Sequence, residues 1–372
     1  MSENLKKRKW RKIWLIVIIA LLSLLLAAVI AVAIVGNYIL NKVGSEVNHE
    51  TISIIPPEME DFETDPPEDL IEPTVRPTEG TQPTEGEGEG ENVIATQPPA
   101  TEPPPPTRPN IVWPEVEKLR DENVINILLV GKDASASDGR PRTDSMILVS
   151  INKDTDKLTM VSIMRDLYVQ IPGGYSDNRI NAAYRFGGIA LLNATIEKNF
   201  GIVIDGNIEV DFKQFATIID ILGGVDIELT AAEAKYLSRF GYYGTLESGM
   251  NRLDGETALE YCRTRQIDSD HQRTERQRKL LLTVAAKAKD MSVSQVWDVI
   301  NEVLPYVRTD MEKQELAEVL TAGIQALMSG NGIQSSKIPQ SGHYYGANIM
   351  GMQVLVPDLI QCNMYLKAFI YG

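Results

Sequence analysis

Cysteine and histidine are scarce in this sequence, which has 372 residues but only two cysteines and three histidines. None of them stands at the spacing of a zinc site, and two cysteines do not supply a disulfide-stapled scaffold. Basic residues are also few, with 36 against 51 acidic residues and a net charge of -15. A general nucleic-acid-binding protein normally carries a basic excess, so this charge argues against nucleic acid as a partner. Hydrophobic residues form 43% of the chain, which is enough for a core.

The negative charge is distributed unevenly along the chain. Residues 1–45 carry seven basic side chains and one acidic side chain, for a net charge of +6. Residues 46–109 carry sixteen acidic and two basic side chains, for a net charge of -14, which leaves -7 for residues 110–372. Most of the acidity therefore belongs to a linker.

An apolar run of 23 residues, 13–35, follows the basic residues 1–12 and contains a single polar side chain, Ser23. A helix needs about 20 such residues to cross the hydrocarbon core of a bilayer. Because basic flanks stay on the cytoplasmic side, we expect a signal-anchor helix with a cytoplasmic tail and an exported C-terminal part. The alternative is a cleavable signal peptide, whose apolar region usually spans about 7–15 residues.

Residues 46–109 hold fourteen of the twenty prolines. Such a segment cannot bury enough apolar surface to offset its ordering entropy, and its like charges extend it. We therefore predict a disordered tether, which spans on the order of 50 Å when flexible. The alternative function for its proline-rich runs is docking into the groove of a partner.

From about residue 115 the pattern becomes that of one extracellular α/β domain, 115–372, whose motifs lie in 124–290. Short runs rich in β-branched residues predict buried strands at 124–130, 146–151, 158–163, 225–229 and 353–356. Apolar periodicity and capping residues predict helices at 188–200, 212–222, 255–262, 273–289, 292–304, 313–328 and 358–369. The mixture predicts a central mixed β-sheet flanked by helices on both faces.

Arginine is unusually frequent around the predicted strands, with twelve arginines against six lysines between residues 131 and 278. The planar guanidinium group is suited to bidentate recognition of phosphate and carboxylate. Two of the arginine clusters follow or precede strands at the edge of the sheet where open α/β folds bind ligands. Several arginines that converge on one cleft would hold an anion of high charge, such as a pyrophosphate.

Two aspartates border the first two predicted strands. Asp133 follows the strand 124–130, and Asp144 precedes the strand 146–151. If these strands are neighbours, the two carboxylates can hold a divalent cation together with phosphate oxygens and water, as magnesium is normally bound. The alternative is that each aspartate caps a turn or a strand end.

Seven stretches between residues 124 and 281 occur together in one known family. They are NILLVGKD (126–133), RTDSMILVSIN (142–152), VSIMRDLYVQIPG (161–173), RINAAYRFGG (179–188), VDFKQFATIIDILGGVDI (210–227), LDGETALEYCRTR (253–265) and RTERQRKLL (273–281). In these stretches the chain resembles the LytR-CpsA-Psr family of wall-polymer ligases. The resemblance implies transfer of a glycopolymer with its proximal phosphate from a polyprenyl-pyrophosphate carrier to a muramic-acid hydroxyl of peptidoglycan, outside the cytoplasmic membrane of a Gram-positive bacterium.

The resemblance also implies roles for individual positions. Asp133 and Asp144 match metal-binding carboxylates, with magnesium or manganese as the cofactor. Four residues are predicted to act in catalysis: Arg142, Asp144, Arg165 and Arg263. Seven are predicted to bind the pyrophosphate: Arg142, Arg165, Arg179, Arg263, Arg265, Arg273 and Gln277. Family members enclose the lipid tail in an apolar tunnel, and the helix 212–222 is either a wall of such a tunnel or ordinary core.

Several residues near these positions have less specific interpretations. Asp166 is expected to orient an arginine, and His271 is expected to be a solvent-facing loop residue rather than a general base. The base that accepts the proton of the acceptor hydroxyl stays open between Asp133 and a metal-bound hydroxide. Cys262 and Cys362 are allowed to pair in an exported domain, but Cys262 serves equally well as a small buried hydrophobic residue.

Three functions remain in competition at this point. The leading hypothesis is the ligase, and the second is a pyrophosphatase that uses the same residues with water as the acceptor. The third is a non-catalytic regulator of the wall that only captures polyprenyl phosphates. The identity of the transferred polymer, teichoic acid, capsule or another wall glycan, is not encoded in any pattern that we can interpret.

Overall fold

The computed structural model describes residues 109–133, 141–240 and 246–372. The predicted cytoplasmic tail, the anchor helix and nearly all of the acidic linker lie outside these residues. Within the described ranges, no helix is both long enough and apolar enough to cross a membrane. The helix predicted at 13–35 therefore stays a prediction.

Twelve strands are described. They are β1 (Val124–Asp133), β2 (Arg142–Asn152), β3 (Lys157–Ile163), β4 (Tyr168–Val169), β5 (Asn178–Arg179), β6 (Gly206–Asp211), β7 (Val225–Leu229), β8 (Gly249–Leu253), β9 (Arg308–Thr309), β10 (Ile333–Ile338), β11 (Tyr344–Ile349) and β12 (Met352–Pro357). Six of them form the main sheet in the order β10-β3-β2-β1-β6-β9. The pairs β1–β6 and β3–β10 are parallel and the other three are antiparallel, so the sheet is mixed as predicted.

Eight α-helices are described. They are α1 (Ile180–Phe200), α2 (Phe212–Ile221), α3 (Ala231–Leu237), α4 (Gly255–Arg263), α5 (Asp270–Lys289), α6 (Val293–Val303), α7 (Lys313–Met328) and α8 (Leu359–Tyr371). Five of them begin at a residue whose side chain accepts a hydrogen bond from a backbone N–H of the first turn. Asp254, for example, accepts a hydrogen bond from the Thr257 backbone N–H at the start of α4, as the sequence predicted.

Helices cover both faces of the sheet because side chains alternate along each strand. In β1, Leu128 and Val130 face a core that includes α1 and α8, whereas Ile125 and Ile127 face a core that includes α7. A third apolar cluster, which we call the side lobe, joins α2 to α5 with the hairpin β7–β8. The predicted arrangement of helices on both faces is therefore confirmed.

The structure corrects two predicted boundaries and adds an unpredicted strand. Helix α1 begins at Ile180 rather than at residue 188. Gly187 and Gly188 adopt non-helical angles, so that a kink separates an unpredicted first part of the helix from the predicted second part. Strand β2 begins at Arg142, so that Asp144 lies inside the strand. Strand β6, with the sequence GNIEVD, was not predicted although it pairs with β1, because its polar residues hide the strand pattern.

The C-terminal segment 335–372 has three separate structural roles. Strand β10 adds the outer parallel strand beside β3, and α8 packs on the core of α1. The hairpin β11–β12 lies over β4, with Leu355 donating its N–H to the Asp166 carbonyl at 2.9 Å. This segment therefore both completes the sheet and reaches the loop that follows β3.

Candidate functional site

The predicted site residues come from strand ends that meet at one edge of the sheet. Because β1 and β2 are antiparallel, the end of β1 lies beside the start of β2, with Asp133 opposite Arg142 in the register. Strand β3 ends at Ile163, so Arg165 emerges at the same edge. Helices α4 and α5 bring their arginines to this edge from the side lobe.

Asp144 lies at the centre of a group of guanidinium groups that we call the arginine cleft. Its Oδ1 lies 2.6 Å from Nη1 of Arg165, in a hydrogen bond, and 3.3 Å from Nη2 of Arg265. The backbone carbonyl of Asp144 accepts a hydrogen bond from Nη2 of Arg273 at 3.3 Å. Three predicted pyrophosphate-binding arginines thus converge on a single residue.

Arg165 also connects this centre to two further carboxylates. Its Nε lies 3.5 Å from Asp270 and 3.7 Å from Asp166. Asp166 in turn lies 3.4 Å from Nε of Arg179, as expected of a residue that orients arginines. Arg179 is held in addition by the Gln353 carbonyl of β12, which accepts a hydrogen bond from its Nη2 at 2.7 Å.

The charges of the cleft shift the pKa values of its members. Burial alone would raise the pKa of the Asp144 carboxyl, but Arg165, Arg265 and Arg273 outweigh it and lower that pKa, so Asp144 is ionised. Burial and the neighbouring Arg165 lower the pKa of Arg273 to about 10. Asp270 raises this pKa, but not enough to cancel the two lowering effects. Arg273 still carries its charge at neutral pH, but holding that charge costs free energy in the unliganded protein.

Several buried polar atoms of the cleft have no hydrogen-bond partner. The donors among them are Nε of Arg165, Nε of Arg179, and Nε and Nη1 of Arg273, of which the first two lie only in longer ion pairs, 3.4 to 3.7 Å from carboxylate oxygens. The carboxylate oxygens of Asp270 also make no hydrogen bond, although Oδ1 lies 2.8 Å from Nη2 of Arg273. Buried polar groups in native proteins are almost always hydrogen-bonded, so a cluster of unpartnered N–H groups marks a place where a ligand completes the network. Donors of this kind and charge match an anion that is rich in oxygens.

Two predicted pyrophosphate-binding residues lie outside this network of ion pairs. Arg263 pairs with Glu260 at 3.2 Å, and its guanidinium group lies over the ring of Phe212 at 4.5 Å from the centroid. Gln277 donates to the Cys262 carbonyl at 3.4 Å. Their roles stay predictions, which no contact of the described residues tests.

Of the two carboxylates predicted to bind a metal ion, one has a side chain outside the described part of the structure. The backbone places Asp133 opposite Arg142, but the side chains of both residues are outside the described part of the chain. Among the described side chains, no group of three or more histidine, cysteine, aspartate or glutamate residues could hold a metal ion. Both side-chain ion pairs of Asp144 use Oδ1. The pairing of Asp133 and Asp144 around a metal ion therefore stays a prediction. Of the two carboxylates, only that of Asp144 is described, and its Oδ2 takes part in neither ion pair.

Sequence reasoning missed Asp270, which lies 2.8 Å from Nη2 of Arg273 as well as near Arg165. An acidic residue one helical turn before an arginine, at the start of a helix, is the signal that was available.

His271 was expected in a solvent-facing loop, and that expectation is wrong. It lies in the first turn of α5, half-buried, and hydrogen-bonds Tyr344 and Lys337 at 3.0 Å each.

Cys262 and Cys362 are both buried free thiols, so the disulfide that was left open does not form. Cys262 packs in the side lobe and Cys362 in the core of α1 and α8. Both act as small buried hydrophobic residues.

Comparison with known proteins identifies the family of the chain. Residues 100–365 match the model of the LytR_cpsA_psr family. The polyisoprenyl-teichoic acid--peptidoglycan teichoic acid transferase TagU of Oceanobacillus iheyensis is 37% identical over 217 residues, which cover 56% of this chain and 65% of that protein. The chain thus spans slightly less than two thirds of the length of this relative.

Two solved structures share the fold. The crystal structure of B. subtilis TagT is 24% identical, has a TM-score of 0.55, and is matched over 70% of this chain and 99% of that chain. The LytR-CPS2A-psr family protein YwtF (TagT), solved with bound octaprenyl pyrophosphate lipid, is 22% identical with a TM-score of 0.53, over 69% of this chain and 96% of that chain.

Proposed function

Because the chain belongs to the LytR_cpsA_psr family, we propose that it transfers a teichoic acid or a related glycopolymer from a polyprenyl-pyrophosphate carrier to a hydroxyl group of peptidoglycan. The observation that carries this proposal is the convergence of Arg165, Arg265 and Arg273 on Asp144, with buried N–H groups that have no partner. A pyrophosphate offers these donors the oxygens and the charge that they lack.

The carrier lipid fits the face of the sheet that is covered by α6 and α7. On that face, seven apolar residues are buried and ten are only partly buried, whereas the face of α1 and α8 has twenty-five buried and eleven partly buried. Helix α2 has one buried residue, Ile219, although most of its sequence is apolar. Partly exposed apolar surface in a domain with a cationic cleft suits a lipid tail attached to a pyrophosphate.

In the proposed reaction, the acceptor hydroxyl oxygen attacks the phosphorus next to the glycopolymer. The bond from that phosphorus to the bridging oxygen breaks, and polyprenyl phosphate leaves with the bond electrons. Negative charge builds on the phosphoryl and bridging oxygens, and Arg165 and Arg273 lie where they can neutralise it. The hydroxyl proton passes to a base that stays a prediction.

Magnesium is part of this proposal. Carboxylate oxygens are the ligands that magnesium prefers, and Asp144 and Asp133 would supply them at the adjoining ends of β1 and β2. A bound cation would supply charge neutralisation for the phosphates. In the unliganded protein, Arg165 and Arg265 act as counter-ions of Asp144, and a bound pyrophosphate would take over these guanidinium groups.

A membrane anchor and a long tether, which the sequence predicts in residues 1–109, would suit this reaction. The lipid carrier lies in the membrane and the acceptor lies in the wall. An enzyme that serves both must therefore be tethered to the outer side of the membrane by a linker long enough to let the domain contact the wall. We therefore propose a cell-membrane location, with the catalytic domain on the outer side.

The test uses the full-length chain with a polyprenyl-pyrophosphate oligosaccharide and peptidoglycan fragments, with and without magnesium. We expect a phosphodiester-linked product, which Arg165→Ala reduces by at least about 100-fold in kcat/KM. The matched control is Arg252→Ala, since Arg252 is exposed and pairs with the exposed Asp226. Phosphate release without an adduct would point to a pyrophosphatase, and lipid binding without turnover would point to a non-catalytic binder.

A further inference from the structure

A second group of basic side chains lies beside the arginine cleft, on the neighbouring face of α5. His271, Glu275 and Arg278 occupy positions i, i+4 and i+7 of this helix and therefore share one face. Lys337 of β10 and Tyr344 of β11 meet that face at His271. None of these five residues was assigned a role by sequence or by the proposed reaction.

The positive charges of this group have no carboxylate in direct contact. Lys337 Nζ makes one hydrogen bond, to the ring nitrogen Nδ1 of His271 at 3.0 Å, and Arg278 has a buried Nη1 with no hydrogen-bond partner. Within the described ranges, neither cation lies within 4.0 Å of a carboxylate oxygen. Glu275, which is exposed, is the carboxylate that acts electrostatically on both of them from a greater distance.

The hydrogen bonds of His271 leave one further donor in the group. A lysine ammonium group has no acceptor, so Nδ1 of His271 must accept from Lys337 and its proton must lie on Nε2. Nε2 then donates to the oxygen of Tyr344, whose own O–H remains to donate elsewhere. Burial, Lys337 and Arg278 lower the pKa of His271 although Asp270 opposes them, which agrees with a neutral ring.

The group is directly continuous with the cleft. His271 follows Asp270, which pairs with Arg165 and Arg273. Lys337 is opposite Ser162 in the register of β3, and the next residue of β10, Ile338, accepts the Met164 N–H at 3.2 Å just before Arg165. Ser162 shares the face of Lys337, is fully buried, and has a hydroxyl without a hydrogen-bond partner.

We propose that Arg278, Lys337 and Tyr344 form a second anion subsite, which binds a phosphodiester group of the glycopolymer on the donor. This proposal rests on the proposed function and deepens it, because it makes the enzyme selective for phosphate-containing polymers. The donors come from three different elements, α5, β10 and β11, and a phosphodiester offers two non-bridging oxygens that carry its negative charge to them. A phosphodiester near the pyrophosphate belongs to the same substrate, so both subsites would be filled together.

The test compares two donors with the full-length chain. One is a polyprenyl-pyrophosphate disaccharide without further phosphate, and the other carries several glycerol phosphate units. We expect Lys337→Gln and Arg278→Gln each to raise KM for the phosphate-rich donor by about tenfold, with kcat unchanged and the simple donor unaffected. Lys153→Gln is the matched control, because Lys153 lies beyond the far end of β2 and pairs with the exposed Glu318.

Two results would overturn this proposal. Equal losses with both donors would place Arg278 and Lys337 in the pyrophosphate site, and a raised KM for peptidoglycan alone would assign them to an acceptor carboxylate. Thermal unfolding supplies a separate readout, in which a glycerol phosphate oligomer should stabilise the wild type and neither variant. If that protection occurs without any polymer transfer, the proposed function fails and the subsite stands.

The same unfolding measurement separates binding from a structural role. Lys337 and Arg278 repel each other, so either glutamine variant should melt at the same temperature as the wild type or higher when no ligand is present. A lower melting temperature without a donor-selective change in KM would show that the group only supports the fold, and would end the proposal.

Discussion

Arg273 and Arg276 lie three residues apart on α5, and both side chains are buried, with 2% and 4% of their surface exposed. Their surroundings are nevertheless opposite. Every nitrogen of the Arg276 guanidinium group has a partner: Nε contacts Glu233 at 2.7 Å, Nη1 donates to the Thr264 carbonyl at 2.8 Å, and Nη2 bonds Asp268. In Arg273, Nε and Nη1 have none.

This difference separates a structural arginine from a binding one. Arg276 ties α3 and the loop after α4 to α5, and its hydrogen bonds are complete. Arg273 faces the cleft with part of its bonding capacity unused, which costs stability until an anion arrives. Proteins commonly accept such a cost at functional sites.

Replacing Arg276 should have the largest effect on stability. Arg276→Gln leaves Glu233 and Asp268 without their cation, and breaking a buried pair in this way typically costs about 3–5 kcal/mol. We expect this loss in the free energy of unfolding, measured by denaturant titration, while the folded fraction keeps its affinity for pyrophosphate. An unchanged unfolding free energy would erase the distinction between the two arginines.

Arg273→Gln is the matched change in the cleft. We expect kcat/KM to fall by roughly 10²–10³-fold, because a donor to the developing charge is lost. The free energy of unfolding should fall by less than in Arg276→Gln, since the loss of the pair with Asp270 is offset when the cost of burying a charge with unmade hydrogen bonds disappears. A variant that is both active and unstable would mean that Arg273 is structural rather than a binding residue.

A smaller effect is expected at the cap of α4, the helix that leads to Thr264. Asp254→Ala removes the hydrogen bond that the Thr257 N–H donates to Asp254 at 2.9 Å, and such a cap contributes about 1 kcal/mol. The loss should appear in the unfolding free energy and leave KM for the donor unchanged. Asp254→Asn, which keeps a capping oxygen, should restore most of it.

The smallest expected effect is a difference in acid sensitivity. Burial would raise the pKa of Glu233, but hydrogen bonds from Thr230 and Arg276 outweigh it and lower the pKa below its ordinary value of 4.5. Glu233 therefore stabilises the fold above pH 4.5, and this contribution is lost as the pH falls through the lowered pKa. Unfolding measured at a series of pH values should show a shallower acid decline in Arg276→Gln than in Arg273→Gln.

Sequence reasoning found much of the cleft. It placed Asp144 and Arg165 at the edge of the sheet, because strands with long β-branched runs are recognisable and their ends follow directly. It could not rank the arginines of α5, since Arg273 and Arg276 differ only in what their neighbours in space supply. It also misjudged His271, whose partners Tyr344 and Lys337 lie more than sixty residues away in the chain.

The sequence by itself determined the mixed sheet with helices on both faces, the membership of the family, and the arginine-rich composition of the site. These features depend on local patterns: alternation along strands, helical periodicity, and motifs whose residues are close in the chain. Only the tertiary structure decided which buried cations have partners and which do not. A complete set of hydrogen bonds for Arg276 and an incomplete set for Arg273 result from how distant segments pack, and no local pattern encodes that packing.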